Sequence, residues 1–299
     1  MSGKIASFEI TGTTLKVQAV ECLKAQHPLP LLLELATLPR STFYHHRSRL
    51  RRADKHADLK AAITAVFNDA KGAYGHRRIL ALLRRQGVTV SKKTVLREMH
   101  LLGLDCLVRR RKRYNSYRGE TGPTAHNVLE RKFNTSAPHT KWTTDVTEFR
   151  IGESTTYLSL IFDLYDNRVI SAKAVPSPSV KMVTESLQSA LECLEPGEEP
   201  IVHSDQGFQY RHPAWQGALA GAGLTQSMSR KGNCLDNAAM EGFFSHLKEE
   251  WFRIQKPATL PEFHAGLTEY LAWWNAVRIQ ERLGYLSPDE YRTQATAAH

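Results

Sequence analysis

Three acidic residues stand in distinctive runs of the second half of the chain. Asp145 ends the run Trp-Thr-Thr-Asp, Asp205 is the third residue of His-Ser-Asp-Gln-Gly, and Glu241 ends Asp-Asn-Ala-Ala-Met-Glu. The last two acids have 35 residues between them. Carboxylates are preferred ligands of hard divalent cations, and such cations act on phosphates. In a chain rich in Lys and Arg, the three acids indicate metal-dependent chemistry on phosphate. The alternative is that they cap helices and pair with surface cations.

The residues around these acids predict alternating strands and helices. The β-branched and aromatic run 141–151 predicts a strand that carries Asp145. A short apolar strand at 201–204 would deliver Asp205 at its end. Propensity alone does not choose the fold that this order belongs to. The predicted order is strands at 141–151, 156–163 and 169–175, a helix after Ser179, a strand at 201–204, a helix near 213–220, a strand at 224–228 and a helix from about 238.

The last of these helices would carry Glu241 beside its apolar stripe. Apolar residues at 240, 244, 247 and 251 recur at helical spacing. Glu241, Ser245 and Lys248 stand at i, i+4 and i+7, on a face offset from that stripe. Glu241 could therefore face a metal ion while Lys248 reaches a phosphate. Alternatively, Glu241 and Lys248 form a surface ion pair two turns apart.

Residues 58–103 predict a module of three helices ahead of the acids. Apolar residues recur at helical spacing in each of them, the run Tyr-Gly-His-Arg-Arg at 74–78 joins the first two, and Gly87 breaks the chain before the third. Ser91 would cap the third helix. Lys92 and Lys93 in its first turn oppose the helix dipole, which is explained if both contact phosphate. A DNA-binding helix-turn-helix-like domain and a plain packing module are the two interpretations.

Residues 28–57 predict a short basic helical segment, with a helix near 31–36 and a second helix capped by Ser41. Residues 1–27 carry no motif. A DNA-facing role and simple packing both remain open for the segment. Its cations are Arg40, Arg47, Arg49, Arg51 and Arg52.

The chain is strongly basic, with a formal net charge of +10 and a pI near 9.5 over 299 residues. This balance indicates a polyanionic partner, and the length predicts more than one domain. Residues 104–135 predict a basic linker in which Tyr114 and Tyr117 alternate with cations, suited to backbone charge and base stacking. Such a tract can also be merely solvated. Its core consists of Arg109, Arg110, Arg111, Lys112 and Arg113.

Other features exclude several classes of protein. The longest apolar run, near 29–38, contains Pro30 and is too short to cross a bilayer. The N-terminus lacks a secretory signal, and no Cys-x-x-Cys occurs, so neither a zinc site nor a disulfide framework is indicated. We therefore expect a cytoplasmic protein without a membrane partner. The four cysteines are Cys22, Cys106, Cys193 and Cys234.

Three longer strings resemble the catalytic core of the DDE transposases and retroviral-type integrases. They are Trp-Thr-Thr-Asp-Val-Thr at 142–147, His-Ser-Asp-Gln-Gly-Phe-Gln-Tyr at 203–210 and Asp-Asn-Ala-Ala-Met-Glu-Gly-Phe-Phe at 236–244. More narrowly, the chain resembles the second-frame (OrfB) product of the insertion-sequence-three family over roughly residues 30–292. The family pattern Tyr-Asn-x-x-Arg-x-His is altered here, since Trp274 replaces the Tyr and Gln280 the His.

This resemblance implies an RNase-H-like integrase core with a mixed five-stranded sheet, at 136–299, preceded by an all-α helix-turn-helix-like region. It implies that Asp145, Asp205 and Glu241 hold two Mg²⁺ (or Mn²⁺) ions for cleavage and strand transfer. His203 and Asn237 would orient carboxylates or substrate, although His203 is equally well explained as structural.

The implied function is a transposase that cuts insertion-sequence ends and joins their 3′-hydroxyls to target DNA. Its implied partners are terminal inverted repeats and target DNA, an upstream-frame (OrfA-type) protein or fusion, and further copies of the chain assembled on DNA. When active it would be associated with the nucleoid. Two rival functions are a structure-specific nuclease of the same fold and a non-catalytic DNA-binding regulator of transposition.

Overall fold

A computed structural model describes residues 12–50, 54–107, 128–129, 133–229 and 238–297. The chain divides into two compact units, residues 1–62 and 63–299. In the parts described, no helix is both long enough and apolar enough to cross a membrane. The described cysteines, Cys22, Cys106 and Cys193, are exposed free thiols.

The first unit contains α1 (Thr13–Leu23), α2 (Leu29–Leu35) and α3 (Arg40–Leu50). Helix α1 lies in the stretch where the sequence showed no motif. Only Val17 and Val20 of this helix are buried, so its sequence has no periodic apolar pattern. The predicted cap at Ser41 is wrong, since α3 already begins at Arg40 and Ser41 is its second residue. The core that holds the three helices together consists of Val17, Val20, Leu32, Leu33, Leu38 and Phe43.

The second unit begins within α4 (Ala57–Asp69) and continues with α5 (His76–Arg85) and α6 (Lys92–Leu101). Ser91 caps α6 as predicted, because its hydroxyl accepts a hydrogen bond from the Thr94 N–H at 3.1 Å. The run 74–78 was predicted to join two helices, but α5 starts at His76 and includes its last three residues. The apolar residues of this unit that are buried on the three helices are Ile63, Val66, Ile79, Leu80, Leu83, Val95 and Met99.

A mixed five-stranded sheet follows, as the resemblance implied. Its strand order is β3-β2-β1-β4-β5. The pairs β1–β2 and β2–β3 are antiparallel, whereas β1–β4 and β4–β5 are parallel. The strands are β1 (Lys141–Ile151), β2 (Ser154–Asp163), β3 (Val169–Val175), β4 (Ile201–Ser204) and β5 (Gln226–Met228).

Helices cover both faces of this sheet. One core places Phe149 and Ile151 of β1 against α10 and α12, and the other places Trp142 against α7 and α9. Side chains alternate between the faces of a strand, so odd-numbered residues of β1 face α10. The remaining elements are α7 (Val180–Leu191), α8 (Phe208–Arg211), α9 (Pro213–Gly221), α10 (Ala238–His246), a π-helical turn (Leu247–Phe252), α11 (Arg253–Gln255), α12 (Leu260–Ala276), a 3₁₀ turn (Glu281–Leu283) and α13 (Pro288–Ala297).

An ion-pair cluster, which we call the Arg292 clamp, joins α13 to the turn between β2 and β3. Arg292 donates to Asp163 at 2.8 Å and to Asp166 at 2.6 Å, and both carboxylates are fully buried. Burial and the charge of Asp166 raise the pKa of Asp163, and the guanidinium opposes that shift. The clamp therefore neutralises two acids that would otherwise repel each other inside the protein.

Candidate active site

Asp145 lies on β1, and Asp205 directly follows the last residue of the neighbouring parallel strand β4. Thr143 of β1 pairs with His203 of β4, and each acid follows two residues later. Two residues along a strand return a side chain to the same face, so Asp145 shares the face of Thr143, and Asp205 emerges at the adjacent end of β4. Phe149, on the same face of β1, packs under α10 and α12. The two acids are thus directed towards the helical layer that carries Glu241.

Backbone N–H groups hold the two carboxylates. Asp145 accepts a hydrogen bond from the Val146 N–H at 2.7 Å, and Asp205 accepts one from the Gly207 N–H at 2.8 Å. A Cβ atom at residue 207 would lie 2.9 Å from the Asp205 Oδ1 atom. Glycine at this position therefore lets the chain turn back on the carboxylate, which explains the Asp-Gln-Gly sequence.

Glu241 lies in the first turn of α10 and is partly buried. Its neighbours Met240, Phe243 and Phe244 are buried in the core under the sheet, which fixes the rotation of the helix. Asn237, predicted to orient carboxylates or substrate, lies outside the described residues.

Asp145 lies within electrostatic reach of the other two acids. Burial, the charge of Asp205 and the charge of Glu241 raise the pKa of Asp145 to about 8, against the opposing effects of the Val146 N–H and Lys248. Burial also raises the pKa of Asp205, with the Gly207 N–H and Arg211 opposing. Across the described ranges, no three His, Cys, Asp or Glu side chains are close enough together to hold one metal ion. The fold thus brings Asp205 and Glu241 close enough to shift the pKa of Asp145, although the three carboxylates are not close enough to ligate the same ion.

Lys248 turns towards the strand that carries Asp145. Its ammonium donates to the Thr147 hydroxyl at 2.7 Å and lies 5.2 Å from the ring centroid of Phe149. Burial lowers the pKa of Lys248, and the charges of Glu148 and Asp145 oppose that shift. The structure therefore places a cation beside Asp145, two residues along the same face of β1.

His203 is fully buried in the sheet. Its Nδ1 atom lies 3.0 Å from the Ser227 hydroxyl on β5, and its ring packs edge-on to Phe133. These contacts join β4 to its neighbours, which favours the structural interpretation of this residue.

The predicted DNA-binding residues divide into two groups. Lys92 and Lys93 are exposed in the first turn of α6, as a contact with phosphate requires. The tract Arg109–Arg113 lies outside the described residues.

Sequence reasoning missed a hydroxyl pair near the acids and a buried ion pair on the helix that continues α10. The Tyr210 hydroxyl lies 3.2 Å from that of Thr144, and burial raises the pKa of Tyr210 well above its ordinary value. Glu250, in the π-helical turn, forms a buried ion pair with Arg278 at 2.6 Å. Glu250 stands between Leu247 and Trp251 in the predicted apolar stripe. The position of Glu250 within an apolar stripe was the feature of the sequence that could have indicated a buried cation beside it.

The two departures from the family's C-terminal pattern meet at one residue. The Trp274 indole N–H donates to the Asn167 carbonyl at 2.8 Å, and the Asn167 amide donates to Gln280 at 2.9 Å. Trp274 itself is buried in the core under α10. These side chains thus anchor the turn between β2 and β3.

Three family models match the chain. An HTH-like domain matches residues 54–113, and two integrase core domain models match residues 135–234 and 241–295. Together they cover both the three-helix module and the region that carries the acids.

The chain is similar along most of its length to bacterial transposases. It is 45% identical to the putative transposase InsK for insertion sequence element IS150 of Escherichia coli (strain K12), over 91% of this chain and 96% of that protein. It is 30% identical to the transposase InsF for insertion sequence IS3A of the same strain, over 95% and 100%. A probable transposase for IS1353 of Shigella flexneri is 41% identical over 93% of this chain but only 54% of that protein.

Among solved structures, the HTLV-2 integrase catalytic core domain in complex with magnesium overlaps 52% of this chain and 97% of that domain. The two are 15% identical, with a TM-score of 0.41.

Proposed function

Because the chain belongs to the IS3-family transposases, with an HTH-like domain and an integrase core, we propose that Asp145, Asp205 and Glu241 are the catalytic carboxylates of its DNA transposition reaction. The reaction would cut the ends of the insertion sequence and join each 3′-hydroxyl to target DNA. The observation that carries this assignment is the raised pKa of Asp145, which follows from burial and from the two other acids. Strongly shifted pKa values of this kind cluster at functional sites.

The donor chemistry of the three acids fits a hard divalent cation, Mg²⁺ or Mn²⁺, with two ions per site. Carboxylates provide the all-oxygen ligation that these ions prefer. When bound, the ions would stabilise the charge that develops on the phosphate during an in-line displacement. A cation would also favour the ionised form of Asp145, whose proton the metal-free site retains at neutral pH.

Residues of the chain itself orient the reacting groups. The bonds from the Val146 and Gly207 N–H groups fix one oxygen each of Asp145 and Asp205. Lys248, held against Thr147, would contact a phosphate of the bound DNA next to Asp145. Lys92 and Lys93, together with the tract Arg109–Arg113, would bind DNA phosphates at some distance from the bond that reacts.

The test is cleavage and strand transfer on labelled DNA from the ends of the element, with Mg²⁺ present. Asp145→Asn, Asp205→Asn and Glu241→Gln should each abolish both steps while DNA affinity stays nearly intact, because binding depends on cations elsewhere. Glu148→Gln is the matched control, since Glu148 is an exposed acid on the same strand. Mn²⁺ should replace Mg²⁺, whereas Ca²⁺ should support binding only, because it is larger and tolerates looser geometry.

Cleavage above a few per cent in one of the three variants would remove that residue from the site. Full activity in EDTA would refute the metal assignment. Cleavage without any strand transfer would favour the structure-specific nuclease, and DNA binding without cleavage in Mg²⁺ or Mn²⁺ would favour the regulator.

We extend the proposal to the partners. Pairing two ends of an element needs at least two protomers, so we expect the chain to assemble on terminal-repeat DNA. An upstream-frame protein, separate or fused, would supply the main oligomerising surface, since no heptad repeat occurs in this sequence. The domain boundaries near 28, 58, 104 and 136, location in the cytoplasm and association with the nucleoid are further predictions.

A further inference from the structure

Glu250 is a buried acid that the proposed chemistry does not use. It lies in the π-helical turn that directly continues α10, the helix of Glu241, and 1% of its side chain is exposed. Arg278 donates a hydrogen bond to each carboxylate oxygen of Glu250, at 2.7 and 2.6 Å. The Tyr270 hydroxyl donates to it at 3.2 Å, and the His246 Nδ1 atom lies 2.9 Å away. π-helical turns inside α-helices often occur at functional sites.

The HTH-like domain reaches the same carboxylate. Arg78 of α5 places its Nη1 atom 3.6 Å from Glu250, and its guanidinium lies 5.3 Å from the ring centroid of Tyr74. The Tyr74 hydroxyl accepts a hydrogen bond from the Ile279 N–H at 3.0 Å, one residue after Arg278. Arg78 of α5 thus contacts Glu250, and Tyr74, two residues before α5 begins, binds the backbone next to Arg278.

The charges around Glu250 keep it ionised. Burial alone would raise its pKa, but the charge and hydrogen bonds of Arg278, together with His246, hold the pKa of Glu250 well below its usual range. Burial lowers the pKa of His246, and its hydrogen bond to Glu250 opposes that shift. One carboxylate therefore lies between two guanidiniums, those of Arg278 and Arg78. Removing Arg78 therefore takes one positive charge away from the acid and leaves the bonds from Arg278 in place.

We propose that Arg78 and Glu250 are positioning residues that couple DNA engagement by the HTH-like domain to the placement of Glu241. The inference rests on the assignment of Glu241 proposed above. Helix α5 is joined by charge to Glu250, and Glu250 is joined by continuous helical backbone to Glu241. A shift of α5 on DNA is therefore transmitted along one helix to the site of the reaction.

The experiment uses the full chain and compares its cleavage of two DNA substrates. One is a duplex from the end of the element, long enough to reach the HTH-like domain, and the other contains only the base pairs around the cleavage site. Wild-type protein should cleave the long duplex faster, and Arg78→Met should reduce the long-to-short ratio of kcat about tenfold, a typical size for coupling between sites. Arg78→Lys, which keeps the positive charge, should restore most of that ratio.

Arg77→Met is the matched control, because Arg77 is the neighbouring residue but has 60% of its side chain exposed. It should weaken DNA affinity at most and leave the ratio unchanged. Tyr74→Phe removes one hydroxyl and should lower the ratio several-fold in a folded protein, so the test survives if Arg78→Met fails to fold.

An equal loss of kcat on both substrates would show that Arg78 has a merely structural role and would overturn the proposal. A long-to-short ratio of kcat that is unchanged in both Arg78→Met and Tyr74→Phe would also overturn it. Failure of the proposed catalytic site is distinguishable from this. It would appear as cleavage by Glu241→Gln, whatever the ratio.

Discussion

Replacing Asp145 by Asn should make the metal-free protein more stable while it abolishes cleavage. The folded protein raises the pKa of Asp145 from 3.8 to about 8. Between these values the folded chain binds a proton that the unfolded chain has released, so the free energy of unfolding decreases as the pH rises. The stabilisation is fully present below about pH 4 and is lost by about pH 8. The Asn variant has no such group and should lack this slope.

The size of the effect follows from the same shift. Each pH unit in this interval changes the free energy of unfolding by about 1.4 kcal/mol, which gives roughly 6 kcal/mol over the interval. Because the Asp145 side chain is partly exposed, water screens the interaction, and we take half of this, about 3 kcal/mol. For a protein of this size that corresponds to a melting temperature on the order of 6 °C higher in the variant at pH 8.

The assay is thermal unfolding in EDTA at a series of pH values from 5 to 8.5, for wild type, Asp145→Asn and the control Glu148→Gln. The melting temperatures of wild type and Asp145→Asn should diverge as the pH rises, and the control should follow wild type. Added Mg²⁺ should stabilise wild type and leave the Asn variant almost unaffected, because a ligand stabilises only the state that binds it. Parallel curves for wild type and Asp145→Asn would refute the electrostatic account of the site.

Two further predictions concern DNA binding and assembly. Neutralising Arg109, Arg110, Arg111 and Arg113 together should weaken binding to all DNA sequences and flatten its dependence on salt by roughly 0.9 in the log–log slope for each lost phosphate contact, measured by titration at several salt concentrations. An unchanged slope would mean that the tract is only solvated. This chain alone should form paired-end complexes on terminal-repeat DNA poorly compared with its fusion to the preceding reading frame, measured by gel shift and strand transfer; equal rates would contradict the need for an upstream-frame partner.

Much of the catalytic core could be predicted from the sequence because its signals are local. The observed bounds of β1 and β3 equal the predicted ones, since alternating β-branched residues and the turn at 166–167 mark them directly. Ser91 caps its helix as predicted, and the helix predicted after Ser179 begins there with Ser179 as its cap, because a cap depends on residues only three positions away. The five-stranded sheet needed the family resemblance, since strand order is not encoded locally.

The parts that were missed depend on distant residues or on weak patterns. Helix α1 buries too few residues to show a periodic signal. Glu250 and Arg278 stand 28 residues apart in sequence, and the Arg78 contact comes from another part of the chain altogether. An ion pair at such separation has no local signature, because only the folded backbone brings its members together. The same applies to the acids themselves, whose mutual repulsion appears only once β1, β4 and α10 are packed.

The Arg292 clamp has a consequence for synthesis on the ribosome. Asp163 and Asp166 are made early, and the guanidinium that lies between them follows 129 and 126 residues later. Until residue 292 emerges, burial of that turn would place two like charges together without a counterion, a strongly unfavourable arrangement. Nascent chains shorter than this should therefore keep the β2–β3 turn open to water, and burial of that turn should wait until α13 has been made.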